Sequence, residues 1–448
     1  MSFYQLNLAA FAAGNGYLLY QQYKRREQET IAELKQEAAA IDDGAEDHDV
    51  ELSRLLAEPV RSQAAARQFQ LDFFLVYALA MAADWLQGPH IYAIYKYDKN
   101  IPEKVVAALY AAGFVSGAIS ASFAGQFADR YGRRLACSTY CIMYIFTCLT
   151  MLTDNLFILF LGRFCGGIST TLLYSVFEAW LITEYYQRGL SRTKLKLGAV
   201  FSHMTTISSI VAITSGIFGD VLVNALGGRI WPFMASVACS AMAMWLIMGR
   251  WKENYGTKQG GPTTSSLGDV KSGIQMILRD KRILSLGLTS TIFEGTMYLF
   301  VFFWSAALKS ARTKAGSNEE LPFGLIFSSF MCAMMAGSAF FSLYTKSHSK
   351  ETTSMVLMLV VLVVSCCLSA AVLVESEMFL FWALCMVEAS IGAYFPSMSF
   401  LKSQVVEDGV RGRVYSLLRL PLNVFVVMAH SLDEEGKFPC AKLVSATN

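Results

Sequence analysis

Charged residues are scarce in this chain: they make up 16% of its 448 residues, against roughly 25% in an ordinary soluble protein. With an apolar share of 54%, this scarcity excludes a soluble enzyme built around one buried core, because apolar runs so numerous could not all be covered by protein. An excess of one charge sign is also lacking, since 37 basic residues stand against 35 acidic ones. That balance gives no reason to expect a nucleic acid as a partner.

Residues that could hold a metal or carry covalent chemistry are few and scattered. The five histidines and ten cysteines show no metal-ligand spacing, and most cysteines stand inside apolar runs, where a thiol behaves as a small hydrophobe. The sequence contains neither a nucleophile elbow nor a phosphate-binding loop of the G-x-x-x-x-G-K-[ST] type. We therefore expect no enzyme, no metal site, no cofactor and no ATP-driven pump.

Apolar stretches long enough to cross a bilayer fill most of the chain. A membrane-spanning helix needs about 20 apolar residues. Eleven core spans are predicted, at 71–95, 105–127, 135–153, 155–179, 198–222, 229–249, 283–307, 322–344, 354–374, 377–400 and 413–431. A membrane barrel is excluded, because its segments run about ten residues with alternating polarity. The sequence thus predicts an all-α polytopic membrane protein.

Composition divides the chain into six segments. They are an N-terminal membrane anchor (1–23), a cytoplasmic connector (24–70), a six-helix bundle (71–249), a cytoplasmic linker (250–282), a five-helix bundle (283–431) and a polar tail (432–448). Most basic loop residues fall on the side of the connector and the linker. The positive-inside rule places that side in the cytoplasm.

A glycine- and arginine-rich turn follows the second core span. It reads G-x-x-x-D-R-x-G-R-R and comprises Gly125, Asp129, Arg130, Gly132, Arg133 and Arg134. Its glycines allow a sharp reversal, its aspartate can pair with a helix end, and its arginines favour an anionic lipid surface. On the preceding span, small residues recur every fourth position at Gly113, Gly117, Ala121 and Gly125. This spacing predicts a face for close helix packing.

The turn, its position and the two-bundle layout resemble the major facilitator superfamily. Arg163 and Gly167 also fit that superfamily's R-x-x-x-G pattern. Four strings resemble its molybdate-anion transporter subfamily: AADWLQGPHIYAIY (82–95), GRFCGGISTTLLYSVFEAW (162–180), FGLIFSSFM (323–331) and YFPSMSFLKSQVV (394–406). The resemblance implies a multi-pass oxyanion transporter of the cell membrane that works by alternating access, with the turn as a gating element. It also implies six helices in the second bundle, so the predicted spans lack the last one.

Ionisable residues inside the spans are the best markers of a functional site, because each costs about 2.5–3.5 kcal/mol unless it faces protein or water. They are Asp84, Arg163, Glu178, Glu294, Glu388 and Arg419. Comparison of the two halves aligns Asp84 with Glu294 and Arg163 with Glu388, and in two-repeat transporters such equivalent positions meet near a midplane cavity. The four acidic residues are candidates for proton coupling. Alternatively, these charges are structural pairs that lock helices together.

A tetrahedral oxyanion needs hydrogen-bond donors and positive charge. Arg163 and Arg419 are therefore the first candidates for substrate ligands, because a guanidinium offers a fork of donors. Asn423 lies one helical turn beyond Arg419 and could add an amide, while Tyr298 and Tyr394 could add hydroxyls. Lys309 and Lys402 lie near span ends, and we expect them to extend towards the membrane surface.

The sequence supports secondary active uptake of molybdate as the leading hypothesis. Bringing a dianion inward against about 100 mV costs about 4.6 kcal/mol, so uptake against a gradient calls for co-moving cations. Protons are the candidate, because carboxylates are available inside the spans; membrane lipid is the other expected partner. Two alternatives remain: transport of another solute, such as sulfate, an organic anion or a sugar, or a membrane sensor that binds an anion without moving it.

Overall fold

A computed structural model describes residues 3–41, 49–121, 123–190, 195, 197–255, 275–317, 320–344, 350–374 and 376–405, together with Leu418, Pro421, Leu422 and Phe425. Within these residues the fold is helical, without strands. The helices are α1 (Phe3–Ile41), α2 (Asp49–Gln87), α3 (Glu103–Ala121), α4 (Ala124–Tyr131), α5 (Arg133–Leu149), α6 (Leu156–Gln187), α7 (Leu197–Leu226), α8 (Trp231–Arg250), α9 (Lys281–Lys314), α10 (Phe323–Tyr344), α11 (Lys350–Leu373) and α12 (Glu377–Val405). Short irregular helical turns extend α2 from Gly88 to Asp98.

Ten helices of the described chain are long and apolar enough to cross a membrane. They correspond in order to the first ten predicted core spans, which confirms the all-α polytopic class. The predicted eleventh span lies outside the described residues except at the four positions named above. The predicted N-terminal anchor forms the first part of α1, which is not one of the ten. The predicted connector is largely helical, because its Ala, Glu, Gln and Lys residues favour a helix.

The helices form two halves with a repeated packing pattern. In the first half α6 packs against α3 and α5; in the second α12 packs against α10 and α11. In the first half α8 also packs against α2 and α5. The equivalent place in the second half, between α9 and α11, is a groove of about 480 Å³ whose described lining includes Leu288, Ile292 and Val361. The described part of the second half thus has no counterpart of α8.

Small residues set the closest helix crossing in the first half. A Cβ atom on Gly167 of α6 would lie 2.1 Å from the carbonyl oxygen of Gly113 and 2.9 Å from the backbone nitrogen of Gly117, both on α3. The predicted close-packing face is therefore confirmed for Gly113 and Gly117. Gly125, at the end of the same pattern, has no atom within 4 Å of a Cβ position.

Helix α1 packs against the second half. Phe3 and Tyr4 make edge contacts with the ring of Phe381 on α12. Deeper along the helix, the side-chain amide of Asn15 donates a hydrogen bond of 2.9 Å to the carbonyl oxygen of Cys332 on α10. The N-terminal helix is thus bound to the helix bundle through specific contacts over at least three turns.

Contacts between the halves concentrate towards one end of the helices. We call it the outer end, because the charge pattern predicts it to be extracellular, and we call the opposite end the inner end. The carboxylate of Asp220 on α7 accepts hydrogen bonds from the backbone N–H groups of Gly324 (2.9 Å) and Leu325 (2.8 Å), in the first turn of α10. Arg229, after α7, forms salt bridges with Asp98 of the first half and with Glu320 of the second (2.9 Å). These contacts join the halves at the outer end.

Candidate functional site

Three helices of the first half meet at the carboxylate of Asp84 on α2. It accepts a hydrogen bond of 3.1 Å from the hydroxyl of Tyr144 on α5 and one of 3.4 Å from the hydroxyl of Tyr174 on α6. The side-chain amide of Gln87 donates to the same Tyr144 hydroxyl. The half-buried Asp84 is therefore held by neutral donors, which offset the cost of removing a carboxyl group from water.

The second half repeats this arrangement at Glu294 on α9. Its carboxylate accepts a hydrogen bond of 3.0 Å from the hydroxyl of Tyr394 on α12, and the Lys402 ammonium lies 4.0 Å away. In each half, the first helix carries the carboxylate and the fourth helix carries a tyrosine that binds it. The structure thus supports Asp84 and Glu294 as equivalent positions of the two halves. We call Asp84 with Tyr174, and Glu294 with Tyr394, the two carboxylate–tyrosine pairs.

The two pairs lie on either side of the interface between the halves. Tyr298, one turn from Glu294 on α9, has its ring 4.7 Å from that of Phe114 on α3 of the first half. Tyr174 is 51% exposed despite its contact with Asp84. In the second pair Tyr394 is fully buried, whereas the Glu294 side chain is 20% exposed.

The predicted anion ligand Arg163 lies on α6, eleven residues towards the outer end from Tyr174. Its Nε donates to the carbonyl oxygen of Leu109 at 3.4 Å, and its guanidinium lies 5.2 Å from the ring centre of Tyr110. Within the described residues it forms no salt bridge with a carboxylate. Its charge is therefore stabilised by a backbone dipole and an aromatic face, both from α3.

Glu388, which aligns with Arg163 in the comparison of the two halves, has different neighbours from Arg163. Glu388 is buried and follows Phe381 and Cys385 at the spacing of one helix face. That face of α12 is directed at α1 and α10, since Phe381 contacts Tyr4 and Phe330. The role expected for Glu388 near a midplane cavity stays a prediction, because aligned positions give depth in the membrane, whereas the rotation of the helix decides which neighbour a side chain meets.

The remaining predicted site residues are less defined. Glu178 is exposed, one turn beyond Tyr174 on α6. Lys402 was expected to extend to the membrane surface, and it points instead towards Glu294. Arg419 and Asn423 lie outside the described residues, so their role as ligands stays a prediction.

The glycine- and arginine-rich turn links α4 to α5. Gly132 adopts a positive φ of 111°, and a Cβ atom there would lie 2.4 Å from the carboxyl carbon of Glu253. That carboxylate accepts hydrogen bonds from the backbone N–H groups of Arg134 (2.8 Å) and Leu135 (3.2 Å) and so caps α5. Asp129 pairs with Arg133 at 2.7 Å, and Arg133 also donates to the backbone of α6. These contacts lie within the first half; the gating role of the turn stays a prediction.

Sequence reasoning missed the tyrosines that bind Asp84. Tyr144 and Tyr174 were not singled out because aromatic residues make up 13% of the chain, and most of them pack in the core. A usable signal was the presence of a tyrosine on the fourth helix of each half, at Tyr174 and Tyr394.

Comparison with known proteins gives a family. The family described as sugar transporters with 12 transmembrane helices, within the major facilitator superfamily, matches residues 48–391. Two curated relatives, the molybdate-anion transporters of Xenopus tropicalis and Xenopus laevis, are each 32% identical to this chain over 382 residues, covering 83% of it and 81% of the relative. A third, from Takifugu rubripes, is 31% identical and covers 84% of this chain and 82% of the relative.

Solved structures share the fold at low sequence identity. A mutant of the nucleoside transporter NupG has a TM-score of 0.70 at 11% identity, covering 85% of this chain and 96% of that one. The peptide transporter POT in complex with sulfate has a TM-score of 0.65 at 11% identity, covering 85% of this chain and 91% of that one. At such identities the likeness concerns the fold alone.

Fold and sequence together define a multi-pass membrane transporter, not an enzyme. The chain belongs to the major facilitator superfamily, and its curated relatives are proteins named molybdate-anion transporters.

Proposed function

We propose that this protein takes up molybdate, or a closely related oxyanion, across the cell membrane by alternating access. The observation that carries the proposal is the relationship to molybdate-anion transporters, at 30–32% identity over 81–84% of the chain. The contacts that join the halves at the outer end are compatible with one closed side of such a cycle. In alternating access the two halves rock about a central site.

The site supports an oxyanion as the substrate. Arg163 supplies a guanidinium, whose planar fork of donors suits the oxygens of a tetrahedral anion. Lys402 adds an ammonium 4.0 Å from Glu294, and Tyr174 and Tyr298 add hydroxyl groups beside the interface between the halves. Positive charge and neutral donors are thus present on both halves.

Proton coupling is the second part of the proposal. A dianion entering against a potential of about 100 mV costs about 4.6 kcal/mol, and two co-moving protons would cancel that charge. The carboxylates of Asp84 and Glu294 are the candidate proton carriers, because both lie beside the interface and each accepts a hydrogen bond from a tyrosine. Glu178 and Glu388 remain weaker candidates.

Uptake of radiolabelled molybdate in a host that lacks its own molybdate transport tests the proposal. We expect uptake that tungstate, a dianion of similar shape, suppresses more strongly than sulfate or xylose, and that a proton ionophore abolishes. Uptake by the Asp84→Asn variant, expressed at the same surface level, is the matched control. It separates flux through this protein from background entry of molybdate. Suppression by xylose but not by tungstate would instead favour a sugar, as the description of the matched family does.

A further inference from the structure

Two side chains towards the outer end of the first core span carry nitrogen atoms that have no hydrogen-bond partner among the described residues. They are the indole Nε1 of Trp85 and both imidazole nitrogens of His90. His90 is buried, at 2% exposure. A buried polar atom without a partner is costly, because it has lost its hydrogen bonds to water and gained none in return. These atoms therefore indicate a partner that reaches them in another state of the protein.

Both residues lie where the two halves meet. The segment Gly88–His90 packs against α10 of the second half, and a Cβ atom on Gly219 of α7 would lie 3.0 Å from the Nε2 atom of His90. The Trp85 ring centre lies 5.8 Å from that of Phe327 on α10. His90 and Trp85 thus border the surface along which α7 meets α10.

The crossing of α7 and α10 at this surface is close. A Cβ atom on Gly216 of α7 would lie 2.7 Å from the carbonyl oxygen of Gly324 on α10. Asp220, one turn further along α7, binds the first turn of α10. Opening at the outer end therefore has to move α10 away from α7, and this movement uncovers His90 and Trp85.

The chemistry of the unpaired atoms suits an oxyanion. The Trp85 indole only donates, and the His90 imidazole carries one N–H donor when neutral and two when protonated. An ionised oxyanion offers acceptor oxygens alone, and a hydrogen bond to a charged acceptor is stronger than one to a neutral group. An anion that enters the outer opening thus matches the donors that the closed outer end leaves without a partner.

Resting on the proposed oxyanion transport, we infer that His90 and Trp85 bind the entering oxyanion when the halves separate at the outer end. Each side chain donates a hydrogen bond to an oxygen of the anion. When α10 returns to its place against α7, both donors are covered again and the contact is lost. The anion is then left to Arg163 and the central site, so this outer contact belongs to the outward-open state.

The kinetics of radiolabelled molybdate uptake by the full chain test the part of His90. His90→Leu replaces unpaired buried nitrogens by apolar atoms and should fold. Its KM for external molybdate should rise by about tenfold, the equivalent of one hydrogen bond to a charged group, without a lower kcat. His90→Gln keeps an amide donor and should recover much of the affinity. His203→Leu changes an exposed histidine near the inner end of α7; it is the matched control and should keep the parent KM.

Trp85→Phe tests the second donor separately. It removes the indole N–H and keeps an aromatic ring beside Phe327. We expect the KM for external molybdate to rise by about threefold to tenfold. Trp245→Phe is its matched control, because Trp245 on α8 is 68% exposed, and it should transport as the parent does.

Opening of the outer end is measured separately, because a smaller open fraction also raises an apparent KM in proportion. Labelling of a Phe114→Cys reporter from outside by an impermeant maleimide gives that fraction. The KM of His90→Leu should rise by about tenfold beyond any fall in labelling. A rise equal to the fall in labelling, or a parent-like KM in His90→Leu or Trp85→Phe, would overturn the inference alone. Failure of the parent itself to transport molybdate would overturn the proposed function together with the inference.

Discussion

At the scale of single residues, the carboxylate–tyrosine pairs show how a membrane interior can hold acidic groups. A carboxyl group inside the bilayer is expensive unless hydrogen bonds or water compensate it. The tyrosines supply those bonds without adding charge, so each carboxylate keeps the option of taking up a proton. This separates Asp84 and Glu294 from Glu388, which faces α1 and α10.

Removing one hydroxyl tests whether the second pair matters for transport. Tyr394→Phe loses the 3.0 Å bond to Glu294, and we expect the rate of molybdate uptake to fall by about tenfold, the equivalent of one such bond. Tyr95→Phe is the matched control, because the buried Tyr95 hydroxyl has no hydrogen-bond partner among the described residues. Equal uptake by the two variants, at equal surface expression, would contradict a role for Tyr394.

Arg163 gives a second prediction at this scale. Arg163→Lys keeps the charge but loses the planar fork and the stacking on Tyr110. We expect the dissociation constant for molybdate to rise by about tenfold, measured by binding to purified protein. Parent-like transport by Arg163→Lys would show that Arg163 is not a ligand.

At the scale of helices, the crossing of α3 and α6 depends on the absence of a side chain. Gly167→Ala would place a methyl group 2.1 Å from the carbonyl oxygen of Gly113, and overpacking of this kind costs about 1–3 kcal/mol. We expect a lower Tm in detergent for this variant. Gly125→Ala, at a position with open space, should melt as the parent does; an equal loss in both variants would contradict the proposed crossing.

The outer-end contacts predict a second effect on helices. Asp220→Ala removes the carboxylate that caps α10, and Glu320→Gln removes the salt bridge of the second half with Arg229. Both changes should favour opening at the outer end. Labelling of a Phe114→Cys reporter by an impermeant maleimide from outside, read by peptide mass spectrometry, should therefore increase.

Asp154→Asn provides the control for that labelling. Asp154 pairs with Lys99 at 2.7 Å, also at the outer end but within the first half. Its loss should leave the labelling of the reporter unchanged. If Asp154→Asn increases labelling as much as Glu320→Gln does, the contacts between the halves have no special part in closure.

At the scale of the whole molecule, the gating role predicted for the turn between α4 and α5 can be tested separately from its effect on stability. Asp129→Asn breaks an exposed pair with Arg133, which is worth about 0.3–0.5 kcal/mol of stability. We therefore expect an unchanged Tm and unchanged molybdate binding, and the predicted gating role of the turn adds the expectation of slower uptake. Uptake at the parent rate would remove the turn from the mechanism.

The sequence predicted what depends on hydrophobic length and on small-residue spacing. Ten membrane-spanning helices and the packing face of Gly113 and Gly117 follow from those two patterns. Helix rotation and side-chain reach were not predictable in the same way. Glu388 faces α1 and α10, and Lys402 reaches Glu294 instead of the membrane surface. A repeat pattern gives the depth of a residue, and only tertiary packing gives its partner.

The central claim is that this protein moves an oxyanion through a site between its two halves. Its most direct test is molybdate flux into proteoliposomes that contain only the purified chain, under an inward proton gradient. We predict accumulation above that of empty vesicles and its loss on addition of a proton ionophore, with Lys309→Gln transporting as the parent does. Molybdate binding without flux would contradict the claim and identify an anion sensor.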